Sequence, residues 1–551
     1  LEQERVNLIE AHLLQAKIRW RGFNDLEGAV SSCLSAQTID PDHRGALALH
    51  KTVLLEGNHL DDALNVAKAL LDVTAGQEAK RELLDEMAAL CWDAGRLELA
   101  LSYYRRLVEW YPNDLDIVHQ LADLCVELDR YEDLARWKER LIALTEGDLE
   151  AQVRHRLDLV QAWRRLDRKD LALAEIERIL VTQPEPEIYL QHAQFCMDDG
   201  LLEEAEGSLR SALTKDPLAV ETLWEIGRLS AELGKPEQTY AYLSIYRLLV
   251  PDDLRVAELL GRDRQEVDIR ALRGTAEPIR HEEICHRRER EPIAVVCRLL
   301  QPYLRWAAQI GDGRRLKKRE QIAADSTAPL RSDIVDPIAT ALGLPAIDLY
   351  VTAKQLPGRY QVRVDPHPIL LIESALFKEC RAEEIIFIVA RGLAAMRGLG
   401  SFYGDIDLRL MFDLLDSLQQ LSMRPDGAGF PGRNSDLKRI FQALPATVWD
   451  ELRTQLARIS ESDPKEALVL YLEGTSMTAN RVGLLIQGDI RFAISALQKV
   501  DPSRYRWCGD GLGIRRESIV TNAEYLDLIE FMISDSYIEL RRRLGSDEAA
   551  E

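Results

Sequence analysis

The residues of this chain whose types and spacing could do chemistry fall in three places. Residues 281–286 read His281-Glu282-Glu283-Ile284-Cys285-His286. Two histidines four residues apart share a helix face and can grip one zinc ion, with a glutamate between them as base. Here the spacing is five, about 140° round a helix, so the imidazoles diverge and the segment reads as solvated charge. The second place is residues 383–398, EEIIFIVARGLAAMRG, which has the outline of such a metal-binding helix. Where the chemistry would sit it carries Arg391, Gly392 and Ala395. A guanidinium, a hydrogen and a methyl group offer a metal no lone pair. The third is a scatter of nucleophiles: Ser476, Cys380 and Cys508. A hydroxyl or thiol needs a base beside it, and the single histidine after residue 290 is His367. Cys508 lies in RYRWCGDGLG, which lacks the Gly-Lys-Ser/Thr ending of a phosphate loop and reads as a turn.

Residues 293–545 must position the last two sets. They read as a helix over 293–308, a basic stretch containing Arg314–Arg319, and a helix over 334–341. Strand-like runs follow at Ile347–Thr352 and Gln361–Ile372, the latter broken by Pro366 and Pro368. The helix of 383–398 comes next, then a helical stretch over 405–421, a Gly/Pro loop at 425–434, and helices to the end. This is an α+β domain with a small sheet.

In that order, with LGLP at 342–345, ESALF at 373–377 and Ser476-Met477-Thr478-Ala479-Asn480-Arg481-Val482-Gly483 further on, residues 330–500 resemble the M48-type zinc metallopeptidases, a zincin family. The resemblance implies that the two histidine ligands fall on Arg391 and Ala395 and the general base on Gly392. The third ligand falls on Ser476, and the aspartate that follows it on Asn480. It therefore implies a degenerate, zincin-like pseudo-peptidase domain with no catalytic residue, no metal and no cofactor. Gly392, Ala394 and Ala395 would pack against a neighbouring helix, and Arg391 would pair with an acid where the metal had been.

The first half repeats. A small residue and a proline lie twelve apart in Ala29/Pro41, Ala100/Pro112, Ala172/Pro184, Ala205/Pro217 and Thr239/Pro251, with Ala63 and Leu134 holding the small-residue place in two weaker copies. Successive copies are spaced 34, 37, 34, 38, 33 and 34 residues apart. A helix–turn–helix unit of that period resembles the tetratricopeptide repeat (TPR). Alanine lets paired helices approach closely. Proline ends the second helix because it cannot donate the next hydrogen bond, and Gly57, Gly95, Gly200 and Gly234 suit turns of positive φ. One pair cannot bury its apolar face, so pairs stack into a solenoid with a concave side. In the repeat register the first helices turn Trp92, His119, Asp123, Gln161, Arg164, Gln194, Trp224 and Arg228 toward that side. Such a surface suits a protein or peptide segment as partner, with Trp and Arg as anchors.

The expected architecture is mostly α: a TPR-like solenoid over 1–262, a charged linker over 263–292, and the α+β domain over 293–545. Composition narrows the function. The 551 residues carry a formal net charge of −22, which disfavours generic binding to nucleic acid or anionic lipid. The eight cysteines form no CxxC pair, which fits buried thiols in a reducing, cytoplasmic setting. No apolar run approaches the roughly 18–20 residues of a membrane span. The chain opens in helix-like sequence without methionine, which suits a piece of a longer chain or a subunit of a larger complex. The expected function is a non-catalytic adaptor or scaffold. The alternatives are a hydrolase whose repeats recruit its substrate, and a structural subunit of an assembly.

Overall fold

The computed structural model describes residues 2–260, 267–275, 277–308, 329–363, 368–397, 408–422, 435–459, 463–505 and 515–545. Arg314–Arg319, His367, the 425–434 loop and Cys508 lie outside the described residues.

Fourteen helices open the chain, taken here two by two in sequence order: Glu2–Lys17 and Leu26–Ile39, Arg44–Glu56 and Leu60–Val73, Gln77–Asp93 and Leu97–Trp110, Leu115–Glu127 and Tyr131–Leu144, Leu149–Arg165 and Lys169–Thr182, Pro186–Asp198 and Leu202–Lys215, and Val220–Glu232 and Pro236–Leu249. Their second helices end two residues before Pro41, Pro112, Pro184, Pro217 and Pro251. The crossing residues Ala29, Ala63, Ala100, Leu134, Ala172, Ala205 and Thr239 are all buried. Each pair turns on one left-handed residue: Asn24, Asn58, Gly95, Asp129, Asp167, Gly200 and Gly234, with φ between 53° and 77°. Gly57 departs from expectation, with φ of −78°. Its neighbour Asn58 makes the turn instead, because a short polar side chain tolerates the left-handed region nearly as well as glycine does.

Packing divides the chain into two compact units, Leu1–Ala205 and Glu206–Glu551. The expected boundary at 262 falls inside the second unit. The reason lies in the seventh pair, whose helix Pro236–Leu249 packs on Ile490–Val500, Ala523–Met532 and Asp535–Gly545. Tyr240 donates its hydroxyl to Asp489 at 3.0 Å. The buried Arg541 donates to the carbonyls of Leu485 at 2.7 Å and Ile486 at 3.1 Å, satisfying two of the orphan acceptors at the end of helix Pro464–Gln487.

The described part of the expected linker is docked rather than solvated. A 3₁₀ turn Ala271–Gly274, a short helix His281–Ile284 and a 3₁₀ turn Arg287–Arg290 bury Leu272, Ile279, Ile284, Cys285 and His286. Its charges are matched in place: Glu283 by Arg543 at 3.0 Å and Arg288 by Glu473 at 2.6 Å.

The sheet has three strands, β1 (Asp348–Thr352), β2 (Tyr360–Arg363) and β3 (Ile369–Glu373), in the order β1-β3-β2. β3 runs parallel to β1, Asp348 opposite Ile369, and antiparallel to β2, Tyr360 opposite Ile372. Helix Ala382–Arg397 packs on β2 and, more extensively, on helix Pro464–Gln487. Gly392 faces the sheet rather than a helix: a Cβ there would sit 3.1 Å from Leu370 and 3.3 Å from Tyr360. The close helix–helix approach comes from the other partner, where a Cβ on Gly483 would lie 2.7 Å from the Phe387 ring. A second apolar core joins helix Pro292–Ala308 to Ala446–Ile459 through Val296, Leu300, Leu452 and Leu456.

Candidate functional site

Three of the five positions assigned by the zincin resemblance meet in space. Arg391 projects from the middle of helix Ala382–Arg397. Its Nε donates to Asn480 Oδ1 at 2.5 Å, Nη1 to the Tyr360 hydroxyl, and Nη2 to Ser476 Oγ at 3.3 Å. Ser476 and Asn480 are four apart on helix Pro464–Gln487 and so share one face. Gly392 and Ala395 stand beside Arg391 on its helix and have no polar side-chain atom to offer. Asn480, fully buried, passes the interaction on by donating Nδ2 to Glu524 Oε2 at 2.6 Å. Glu524, in the first turn of helix Ala523–Met532, also accepts from the Tyr505 hydroxyl and from Arg504. The expected partner of Arg391 was an acid. Its bonds to described residues go instead to neutral groups, with the carboxylate one amide further away.

The electrostatics suit holding rather than reacting. Burial works against the charge on Arg391, but the oxygens of Tyr360, Tyr505 and Glu524 outweigh it and hold the guanidinium above its ordinary pKa. Burial pushes the Tyr505 phenol up. Ser476 receives a hydrogen bond from a cation, the reverse of what activates a nucleophile. Burial raises the Cys380 thiol to about 11, so it is not a thiolate at neutral pH. Among the described residues, no three His, Cys, Asp or Glu side chains gather as a metal site would require. The same residues include no helix long and apolar enough to cross a membrane.

Thr478 and Arg481, on another face of helix Pro464–Gln487, receive the docked segment. Thr478 Oγ1 accepts from the His286 backbone N–H at 2.8 Å and donates to Glu289. Glu289 lies 3.2 Å from His281 Nε2. Arg481 grips Asp527 through two bonds, at 2.6 and 3.0 Å, and His286 Nε2 lies 3.5 Å from the same carboxylate. The two histidines of the misspaced motif are therefore both engaged, but with different partners.

In the first unit, Asp123, Gln161, Arg164 and Gln194 are exposed on first helices. Arg164 lies over the Phe195 ring at 5.0 Å. Trp92 is half-buried, edge-on to Tyr104, and its indole donates to Glu127 at 3.0 Å. His119 is half-buried against His155. In the second unit, Trp224 packs on Tyr246 and is covered by Arg255, 4.4 Å from the ring centre. Arg228 pairs with Glu225 and Glu232. Tyr360, Arg504, Tyr505 and Glu524 were not foreseen, because no spacing ties them to Arg391.

The family match falls on one of the helix pairs. The tetratricopeptide repeat family model matches residues 82–114. The human protein O-mannosyl-transferase TMTC1 is 24% identical over 200 residues, which is 35% of this chain and 22% of that protein. The chain thus spans about a fifth of that relative's length. A crystal structure of the C-terminal part of a TPR repeat-containing protein from Cytophaga hutchinsonii is 15% identical, covering 44% of this chain and 98% of that one, at a TM-score of 0.29. The structure of YrrB, titled a TPR protein with an unusual peptide-binding site, is 17% identical, covering 33% of this chain and 92% of that one, at a TM-score of 0.26. Residues 82–114 are thus similar to the tetratricopeptide repeat, and they take in most of the pair Gln77–Asp93 and Leu97–Trp110.

Proposed function

We propose that this chain is a non-catalytic protein-interaction scaffold whose helix pairs hold a segment of another protein. The observation that carries the reading is the run of first helices presenting exposed Asp123, Gln161, Arg164 and Gln194 over a buried, repeat-patterned core. Repeats of this kind typically mediate contacts between proteins, and the −22 net charge favours a basic or neutral partner segment over nucleic acid. The second unit serves as a second surface or a brace. The meeting of Arg391, Ser476 and Asn480 supports reading it as a pseudo-peptidase, with a cation and neutral hydrogen-bond partners at the positions of two ligands and of the aspartate that follows the third ligand. The test is capture of bound proteins from source cells with the full chain and with Asp123→Lys plus Arg164→Glu. The doubly substituted chain, folded by circular dichroism, is expected to lose specific proteins that the parent retains. An identical set of bound proteins would sink the groove reading.

A further inference from the structure

Three first helices of the first unit carry exposed charges on faces that adjoin. On Gln77–Asp93 these are Glu82 and Asp85, on Leu115–Glu127 Asp116 and Asp123, and on Leu149–Arg165 Arg154 and Arg164. The two positions on each helix fall within an arc of about 80°. Side chains join the three helices: the Trp92 indole reaches Glu127 at 3.0 Å, and the His119 ring lies 4.9 Å from that of His155. Among the described residues none of the six charges is in an ion pair. Their neighbours are: Glu86 is held by Lys51, Asp133 by Arg105 at 2.7 Å and Asp158 by Lys138 at 2.5 Å. Arg81 acts favourably on Asp85 but is itself bound to Asp114. Desolvation raises the Asp85 carboxyl above its ordinary pKa, and Asp114 and Asp116 add to the rise. Carboxylates are thus held facing one another across two helices, and a cation arriving between them would relieve their repulsion.

We propose that these faces bind an extended segment of another protein that carries two basic residues followed by an acidic one, at intervals of about three residues. The inference rests on the scaffold reading above and names the chemistry of its partner. The sign of the six charges changes from helix to helix and not along a helix. A segment crossing the helices therefore meets both signs, whereas one lying along a helix meets one. Packed helices lie roughly 8–10 Å apart and an extended chain advances about 3.3 Å per residue, which sets the interval. The first basic residue meets Glu82 and Asp85, the second meets Asp116 and Asp123, and the acidic residue meets Arg154 and Arg164, whose guanidinium groups can grip a carboxylate through two bonds. The net charge of −22 repels a wholly acidic segment. The basic residues thus draw the segment in, and the acidic one fixes its register. Each of these exposed ion pairs contributes at most about five-fold in affinity, so the pattern decides which segment is taken more than how tightly it is held.

The experiment is selection of random dodecapeptides displayed on phage against the immobilised full chain at low ionic strength, with the retained peptides sequenced. The parent is compared with two variants of exposed residues. One carries Glu82→Gln, Asp85→Asn, Asp116→Asn and Asp123→Asn together, the other Arg154→Gln and Arg164→Gln. Should the first lose its circular dichroism, Asp116→Asn with Asp123→Asn takes its place. The parent is expected to enrich peptides with Lys or Arg at two places three apart and Asp or Glu three further on, in either chain direction, by up to about five-fold at each charged place. Neutralising the carboxylates should abolish the basic preference and leave the acidic one, and neutralising the arginines should do the converse, a split that a merely structural role would not produce. Peptides that the parent retains and the Asp123→Lys plus Arg164→Glu chain loses, but that show no such charge pattern, would overturn this proposal and leave the scaffold reading standing. A pattern unchanged in either neutralised chain would also overturn it. No enrichment by the parent would overturn both.

Discussion

Replacing His286 by asparagine should remove most of the mild-acid sensitivity of the second unit. His286 is 7% exposed beneath the docked segment. Burial lowers its pKa from 6.5 to about 4, Asp527 opposing and Arg481, Arg288 and Arg287 reinforcing the effect. Its Nδ1 accepts from the Arg288 N–H at 3.2 Å, so the neutral ring is the form the fold uses. Between pH 6.5 and 4 the unfolded chain binds a proton there that the folded chain does not. Stability from this group is therefore complete above that window, falls as the pH drops through it, and is lost below it. Integrated from pH 7 to pH 5, the loss is about 2 kcal/mol. Asparagine places an amide oxygen near the position of Nδ1, retains the acceptor for Arg288, and cannot titrate. Hydrogen exchange resolved over Pro464–Gln487 and Ala523–Met532, at both pH values, isolates this unit from His50, His155 and His192, which burial also pushes down in the first. The parent's opening free energy should fall by about 2 kcal/mol more than the variant's. Equal falls would refute the buried, neutral histidine.

Two substitutions probe the clamp around Arg391. Gly483→Leu drives a side chain into the Phe387 ring, already 2.7 Å from where a Cβ would lie, and overpacking of this kind costs about 1–3 kcal/mol, measurable as a lower denaturation midpoint for the second unit. Glu524→Gln keeps the shape but gives Asn480, Tyr505 and Arg504 an amide in place of a carboxylate that accepts from all three. Chemical denaturation should show a loss of about 1.5–3 kcal/mol, the range for bonds to a charged group, and no loss would mean that the network does not hold the fold.

The repeat half was legible because its determinants are local. A small residue, a turn and a proline at fixed offsets report on one helix pair, whatever the rest of the chain does. The miss at Gly57 has the same origin: the turn needs a left-handed residue somewhere, and Asn58 meets that need as well as glycine would. The clamp was legible only where order along the chain carried it. Arg391, Ser476 and Asn480 could be placed by segment order, but Tyr360 and Glu524 reach them from 31 residues before Arg391 and 44 after Asn480, with no periodicity to announce them. The docked segment shows most clearly what composition leaves out. Residues 263–292 are charge-dense, and charge density alone suggests solvent. The cost of removing a charge from water, however, depends on what receives it. Glu283 meets Arg543 from 260 residues away and is lowered to about 2, its hydrogen bond from Arg543 leading. Glu289 meets Thr478 and His281, and Arg288 meets Glu473. A charged stretch whose counter-charges lie on a distant helix surface docks as firmly as an apolar one, and its partners are fixed only once that surface has folded.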